Sequence, residues 1–251
     1  MKIIAVINQK GGVGKTTTTA NLGYALALQN LPITLIDLDP QAHLAVALGF
    51  VKPQRGIDAV MLGEAAVPDV CCIARERLQL ITSGTRLQQI EQLTAGGAHR
   101  GDLLRRALQH PALQQQAYVL IDCPPSSGLL VANALFAADQ VLIPMTSDFL
   151  ALQGLSYLMA TLHKFEKALQ RQYRKRLVLS RYNASRRLSQ DVLAMLQRYF
   201  PRQIFATLIH ETAVLAECPS FGKTIFEYRP QSRSARDFRS LARDFLQDQV
   251  M

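Results

Sequence analysis

Residues 9–17, Gln9-Lys10-Gly11-Gly12-Val13-Gly14-Lys15-Thr16-Thr17, have the types and spacing to hold a polyphosphate. Glycines let a backbone curl so that successive N–H groups converge on phosphate oxygens, and a helix beginning just after them adds the positive end of its dipole. Lys15 is placed to reach β- and γ-phosphates, and the Thr16 hydroxyl to bind Mg²⁺. Two further segments carry acids, Asp37-Leu38-Asp39-Pro40-Gln41 and Asp122-Cys123-Pro124-Pro125-Ser126. A carboxylate closing an apolar run such as Tyr118-Val119-Leu120-Ile121-Asp122 is costly to bury without a cation, and Mg²⁺ beside Thr16 meets that need. Asp122 therefore reads as a magnesium carboxylate acting through a bound water. A turn-forming or helix-capping aspartate is the alternative at either segment.

The elements that must position these groups follow from hydrophobic patterning. Near-continuous apolar runs of strand length occur at residues 3–8, 33–37, 78–82, 118–122, 140–144 and 177–183, as expected of strands buried on both faces. Between them, helical periodicity marks residues 15–29, 103–109, 129–138, 152–172, 188–199 and 232–247. The alternation predicts an α/β protein of the P-loop NTPase type: a mostly parallel, doubly wound sheet flanked by helices, with its ligand beyond the carboxyl ends of the strands. Residues 1–251 read as one domain. The least regular part is residues 52–101, which carries Gly56, Gly63, Pro68, Gly84, Gly96 and Gly97.

Composition narrows the function classes. A formal charge of +9 on 251 residues points to a polyanionic partner, nucleic acid or an acidic membrane surface. Cys71, Cys72, Cys123 and Cys218 lack metal-binding spacing and are too few for a disulfide framework, so a reducing cytoplasm is expected. His43, His99, His110, His163 and His210 are scattered, without ligand spacing.

The loop departs from the usual G-x-x-x-x-G-K-[ST] at Gln9, and Lys10 leads directly into two glycines. This Lys-Gly-Gly-Val-Gly-Lys-Thr variant resembles the phosphate loop of the ParA/MinD family of partitioning and positioning ATPases. The resemblance implies that Lys10 reaches across a nucleotide-sandwich homodimer to the partner's phosphates, so that Lys10, Gly11, Gly12, Val13, Gly14, Lys15, Thr16 and Thr17 bind ATP. It also implies that Asp39 orients the attacking water, with Asp37 supporting the magnesium shell beside Thr16 and Asp122. Leu215-Ala216-Glu217-Cys218-Pro219-Ser220-Phe221-Gly222-Lys223 resembles the family's stretch closing over adenine, and Arg181-Tyr182-Asn183 the strand end that reads the base; Pro219 and Asn183 are the implied contacts. Where many relatives read Ile-Pro-Arg-Asn-Val-Arg-Leu, this chain has Ile209-His210-Glu211-Thr212-Ala213-Val214-Leu215, without either arginine or the proline.

Positive charge concentrates between Ala160 and Arg187, where nine Lys/Arg face one acid, Glu166. Lys164, Lys167 and Arg171 follow helical spacing, with Arg174 continuing the series if the helix persists; Arg236, Arg239 and Arg243 form a second series. Both suit non-specific DNA, since Lys/Arg contacts to phosphates carry no base information. By resemblance the chain is a ParA-like switch: ATP closes a dimer on nucleoid DNA, and a ParB-like or cargo-adaptor protein stimulates hydrolysis. It would partition or position a plasmid, a chromosome or a large protein cargo in the cytoplasm. The competing readings are a MinD-like membrane switch, disfavoured by Asp244, Asp248 and the apolar stripe of the last helix, and a metabolic ATP-dependent enzyme on the same scaffold.

Overall fold

The computed structural model describes residues 1–51, 53–92 and 100–251. Its strands are β1 (Lys2–Val6), β2 (Ile33–Asp37), β3 (Cys71–Arg75), β4 (Leu78–Ile81), β5 (Tyr118–Asp122), β6 (Gln140–Thr146) and β7 (Arg174–Ser180). The helices are α1 (Lys15–Ala27), α2 (His43–Ala47), α3 (Ile57–Met61), α4 (Val67–Val70), α5 (Leu87–Gln92), α6 (Leu103–Ala107), α7 (Pro111–Gln114), α8 (Leu129–Ala137), α9 (Phe149–Leu169), α10 (Arg187–Tyr199), α11 (Ala213–Glu217), α12 (Ile225–Tyr228) and α13 (Arg233–Gln247).

Side chains alternate across a strand, so each apolar run feeds two cores. Ile3, Ala5, Val119, Ile121, Leu177 and Leu179 join one core, which α8, α9 and α10 cover. Ile4, Val6, Leu120 and Val178 join the other, beneath α1, α2 and α13. The seven strands lie in the order β3-β4-β2-β5-β1-β6-β7. Every pairing is parallel except the antiparallel edge pair of β3 and β4. β1 lies between β5 and β6, and the crevice at its carboxyl end is where such sheets bind ligands. Register sets Asp37 level with Asp122 on the neighbouring strand.

Edge strand β3 was not among the expected strands. It lies at the sheet edge with Ile73 exposed and a register shift near Arg75, and its apolar run Cys71-Cys72-Ile73-Ala74 carries a single β-branched residue. Residues 52–101 are accordingly more regular than their glycines suggested, holding α3, α4, β3, β4 and α5. Gly96, Gly97 and His99 lie outside the described residues.

Two boundaries differ in ways that matter for charge. α9 starts at Phe149 because Asp148 caps it, accepting the Ala151 N–H at 2.9 Å, and it stops before Gln170, whose φ of 51° is left-handed. Arg171 and Arg174 therefore do not continue the face of Lys164 and Lys167. β7 begins at Arg174, three residues before its apolar run, because its cations are paired. Arg174 and Arg176 bind Asp248, and Lys175 Nζ lies 2.6 Å from Glu166 Oε1.

Burial pushes the Glu166 carboxyl up, but hydrogen bonds from Lys175 and the Tyr173 N–H outweigh it and hold the group below its ordinary value. A depressed carboxylate contributes stability that is complete above its unfolded pKa, about 4.3, and lost as pH falls through the lower folded value. Lys175→Met removes the ammonium, so its acid-unfolding midpoint, followed by circular dichroism, is expected at higher pH than that of the parent.

Candidate functional site

The phosphate loop joins β1 to α1 through two left-handed glycines, Gly12 at φ 73° and Gly14 at φ 90°, a conformation that side chains rarely adopt. Thr18 N–H donates to Gly14 O at 2.8 Å and starts the helix, while the Val13 side chain anchors the loop in the interior. Lys15 is buried against the loop, its ammonium donating to Lys10 O at 3.2 Å. Burial lowers the Lys15 pKa, opposed by the negative charge of Asp122 and Asp39.

Beneath the loop, the Thr16 hydroxyl donates to Asp122 Oδ2 at 2.7 Å and the Thr19 hydroxyl approaches Asp122 Oδ1 at 3.3 Å. Burial pushes Asp122 up to about 7, against the Thr16 hydrogen bond and the Lys15 ammonium. Asp37, fully buried, is pushed up to about 8 by burial and by Asp122. The interior Asp122 carboxyl, raised this far beside the Thr16 hydroxyl, is short of positive charge, which fits a divalent cation there. Among the described residues no group of three or more His, Cys, Asp or Glu could hold a metal by itself. Magnesium bound here would thus take much of its coordination from phosphate oxygens and water.

Asp37 and Asp39 divide their work differently from expectation. Asp37 Oδ2 accepts the Leu44 and Ala45 N–H groups at 3.1 and 3.2 Å, and Oδ1 the Asp39 N–H at 3.1 Å. Its carboxyl is thus turned to the start of α2 and the Asp39 turn. Asp39 Oδ1 accepts the Gln41 N–H at 2.9 Å, and its side chain borders the phosphate-loop groove.

Two grooves meet at Thr17 and the loop glycines. One of about 540 Å³ runs from Asp39 and Pro125 past Lys15 to Cys218 and Pro219. The other, of about 470 Å³, runs from Gly12 and Thr17 to Arg181, His210, Glu211 and Thr212. Both fall within the size of a nucleotide-class pocket, roughly 300–1,000 Å³. Pro219 borders the first, held by a close crossing in which Gly222 and Gly49 both have positive φ; a Cβ on Gly222 would lie 2.5 Å from Gly49 Cα. Asn183 borders neither groove: its Oδ1 accepts the Ser185 N–H and hydroxyl at 3.0 and 2.7 Å. Arg181, at φ 53°, follows the last residue of β7, and Glu211, which borders the second groove with Thr212, is paired with Arg181 and Arg186. His210 is satisfied by Asp237, its Nδ1 lying 2.9 Å from Oδ2.

Lys10 behaves unlike Lys15. Its ammonium is partly exposed and bonded to Asp148 Oδ1 and Oδ2 at 2.8 and 2.9 Å. Burial raises the Asp148 carboxyl, but Lys10, the Thr146 hydroxyl and the Ala151 N–H hold it below its ordinary value. Asp148 was missed in the sequence, although it repeats the pattern that flagged Asp122, an acid just beyond an apolar strand. Glu91 was missed as well: it accepts the Ser126 hydroxyl at 3.1 Å and the Leu130 N–H at 2.7 Å, fixing the loop that carries Pro125.

The expected basic residues separate into groups. Arg171 donates to Leu135 O and Phe136 O at 2.6 and 2.9 Å, and Arg174 is paired with Asp248, so neither is set out for an external anion. Lys164 and Lys167 are exposed on α9, over one core; Arg236, Arg239 and Arg243 are exposed on α13, over the opposite core. The three arginines line a groove of about 600 Å³ against Leu28 and Gln29. The acids of α13 are occupied elsewhere, Asp237 with His210 and Asp244 with the Thr207 N–H.

A mostly parallel sheet with a glycine-rich phosphate loop at the carboxyl end of β1, a threonine–aspartate pair below it and two bordering grooves define a P-loop nucleotide-binding protein. A family model described as an AAA domain matches residues 1–175. The chain is 37% identical over 247 residues to the sporulation initiation inhibitor protein Soj of Bacillus subtilis, covering 97% of each chain. It is 36% identical to the chromosome partitioning protein ParA of Caulobacter vibrioides over 98% of this chain and 94% of the relative. Cobyrinic acid a,c-diamide synthase from Mycobacterium smegmatis, solved with bound ADP and magnesium, is 29% identical with a TM-score of 0.84, over 98% of this chain and 94% of that one. McdA of Cyanothece, at 23% identity and a TM-score of 0.85 over 100% and 98% of the two chains, shares the fold. The chain belongs to the ParA/Soj family of partitioning ATPases, and it is an ATPase.

Proposed function

We propose that this chain is an ATP-gated switch in which two copies close on ATP and Mg²⁺, hold DNA without regard to sequence, and release it when a ParB-like or adaptor protein stimulates hydrolysis. The observation that carries this reading is the contrast between the loop's two lysines. Lys15 is buried against its own loop, whereas Lys10 is turned outward to Asp148. A second subunit facing the nucleotide gives Lys10 a destination that its own loop does not.

Within one subunit, the loop backbone at Gly11, Gly12, Val13 and Gly14 and the Lys15 ammonium receive the β- and γ-phosphates, with Thr17 beside them. Thr16 and Asp122 would hold Mg²⁺, whose contribution is to neutralise charge on the transferring phosphoryl group. Asp39 orients the attacking water. Asp37 holds the Asp39 turn and α2 in place of the magnesium-shell role expected of it. Pro219 packs on the base in the first groove.

For DNA, the α13 groove is the better supported surface. Three arginines line it, the acids of the same helix are engaged elsewhere, and Arg171 and Arg174 drop out of the opposing stripe. Arg236→Ala/Arg239→Ala/Arg243→Ala is expected to flatten the slope of log affinity against log salt by roughly 2–3 in DNA co-sedimentation with ATP. Lys164→Ala/Lys167→Ala is expected to change it less. The reading as a whole is tested by ATP turnover: slow alone, raised by DNA plus the partner, with no small-molecule co-substrate. Turnover requiring a small-molecule acceptor would replace the switch with a metabolic enzyme, and ATP-dependent sedimentation with anionic liposomes instead of DNA would replace it with a membrane switch.

A further inference from the structure

We propose that Glu91 is a positioning residue for ATP hydrolysis, acting through the loop of residues 124–128 that leads from the Asp122 strand end to α8; this rests on the reading that the groove beside Asp122 takes the ATP phosphates. The sheet fixes the near end of that loop. The Cys123 N–H donates to Val6 O at 3.2 Å, and the Leu38 N–H to Asp122 O at 2.9 Å. Beyond Cys123 the chain has little of its own to hold it. Pro124 and Pro125 have no N–H to give, and Gly128, at the N-terminal boundary of α8, has no side chain with which to cap the helix.

The missing ties come from α5. Glu91 Oε1 accepts the Ser126 hydroxyl at 3.1 Å and Oε2 the Leu130 N–H at 2.7 Å, so one carboxylate spans the loop and the first turn of α8. It satisfies a donor that a helix start leaves open, and its negative charge faces the positive end of the helix dipole. The fit is close: a Cβ on Gly128 would overlap Glu91 Oε1. α5 is itself anchored, with Leu87 and Ile90 in the core and the Arg86 N–H, just before the helix, donating to the buried Asp58 carboxylate at 2.8 Å. Pro125 stands on the wall of the groove that also holds Lys15 and Asp39, whereas Glu91 borders neither groove. Glu91 therefore ties the phosphate-facing wall to the core without touching the nucleotide. Displacing a reacting group by about 1 Å costs on the order of 10²-fold in rate, which is the scale of effect open to such a tie.

The test follows single-turnover ATP hydrolysis by the full chain with Mg²⁺, and separately titrates a non-hydrolysable ATP analogue. Glu91→Ala is expected to lower the hydrolysis rate by about 10–100-fold while the analogue's Kd stays within about threefold of the parent. Glu91→Gln keeps the shape and one acceptor oxygen, and is expected to recover part of the rate. Ser126→Ala removes a single hydrogen bond and is expected to cost roughly 2–10-fold. Added to Glu91→Ala it is expected to cost nothing further, because the two residues act as a unit. A lowered thermal midpoint with an unaltered rate per folded chain would make Glu91 merely structural and overturn the inference. So would independent, multiplying effects of the two variants, or a rate loss accounted for by weaker analogue binding. Lys15→Ala run alongside separates the two claims: if it binds the analogue and hydrolyses ATP as the parent does, the reading of the groove fails, and if it is impaired while Glu91→Ala is not, the Glu91 inference alone fails.

Discussion

Lys10→Ala is expected to leave each chain able to bind ATP·Mg²⁺ while abolishing the ATP-dependent dimer and, with it, DNA binding. In the single chain the Lys10 ammonium makes an ion pair with Asp148 in which the side chains are 37% and 39% exposed. Such a pair contributes less than about 1 kcal/mol, so its removal should scarcely alter the thermal midpoint. The loss is instead in the assembled state. A cation delivered in trans to a transferring phosphoryl group is worth about 10³–10⁵ in rate in other NTPases, and partner-stimulated hydrolysis should fall on that scale. Lys10→Arg keeps the charge but substitutes a planar fork for a compact ammonium, and it is expected to rescue only part of the dimer. Ultracentrifugation with and without ATP measures the effect, and an unaltered dimer in Lys10→Ala would sink the cross-subunit role.

Asp39→Ala is expected to do the opposite: retain ATP, retain the dimer and DNA, and lose turnover by about 10²–10⁴, the range for a positioned acid or base. Asp39 sits at the groove wall, and the Gln41 N–H fixes one carboxyl oxygen at 2.9 Å. Asp39→Asn keeps an acceptor for that N–H while removing the charge, so it separates the local turn from the chemistry. Asp37→Ala provides the contrast. Its carboxyl accepts three backbone N–H groups in the interior, so its replacement should cost stability, seen as a lowered thermal midpoint, before it costs turnover. Single-turnover hydrolysis and thermal unfolding distinguish the two aspartates; undiminished hydrolysis in Asp39→Ala would remove it from the mechanism.

The legibility of this site follows the distance over which each part is organised. The phosphate loop was readable because glycines, lysine and threonine act within one strand–turn–helix unit, and Asp122 because an ion at the end of an apolar run already implies a partner. The pairing of Lys10 with Asp148 was not, since it joins residues brought together only when β1 and β6 lie side by side. The turn at Asn183, whose side chain is bonded to Ser185 just past the left-handed Arg181, is set by a backbone path that residue types do not reveal. β3 was hidden because its apolar run Cys71-Cys72-Ile73-Ala74 carries a single β-branched residue and its one partner, β4, is set by the fold.

By itself, the sequence determined the parallel α/β sheet, the phosphate loop, the acids at strand ends and the surplus of positive charge, because each is written in spacings of a few residues and short-range periodicity dictates it. Tertiary structure decided which charges are available: it paired Arg174, Lys175 and Arg176 inside the molecule, turned Arg171 onto carbonyls and set the remaining basic stripes on opposite faces of the sheet. It also decided that Asp37 supports a turn and that Lys10 faces outward beside an apolar helix start. The physical reason is common to all of these. A charge acts on whatever lies within a few ångströms, and for these residues those neighbours come from distant parts of the chain.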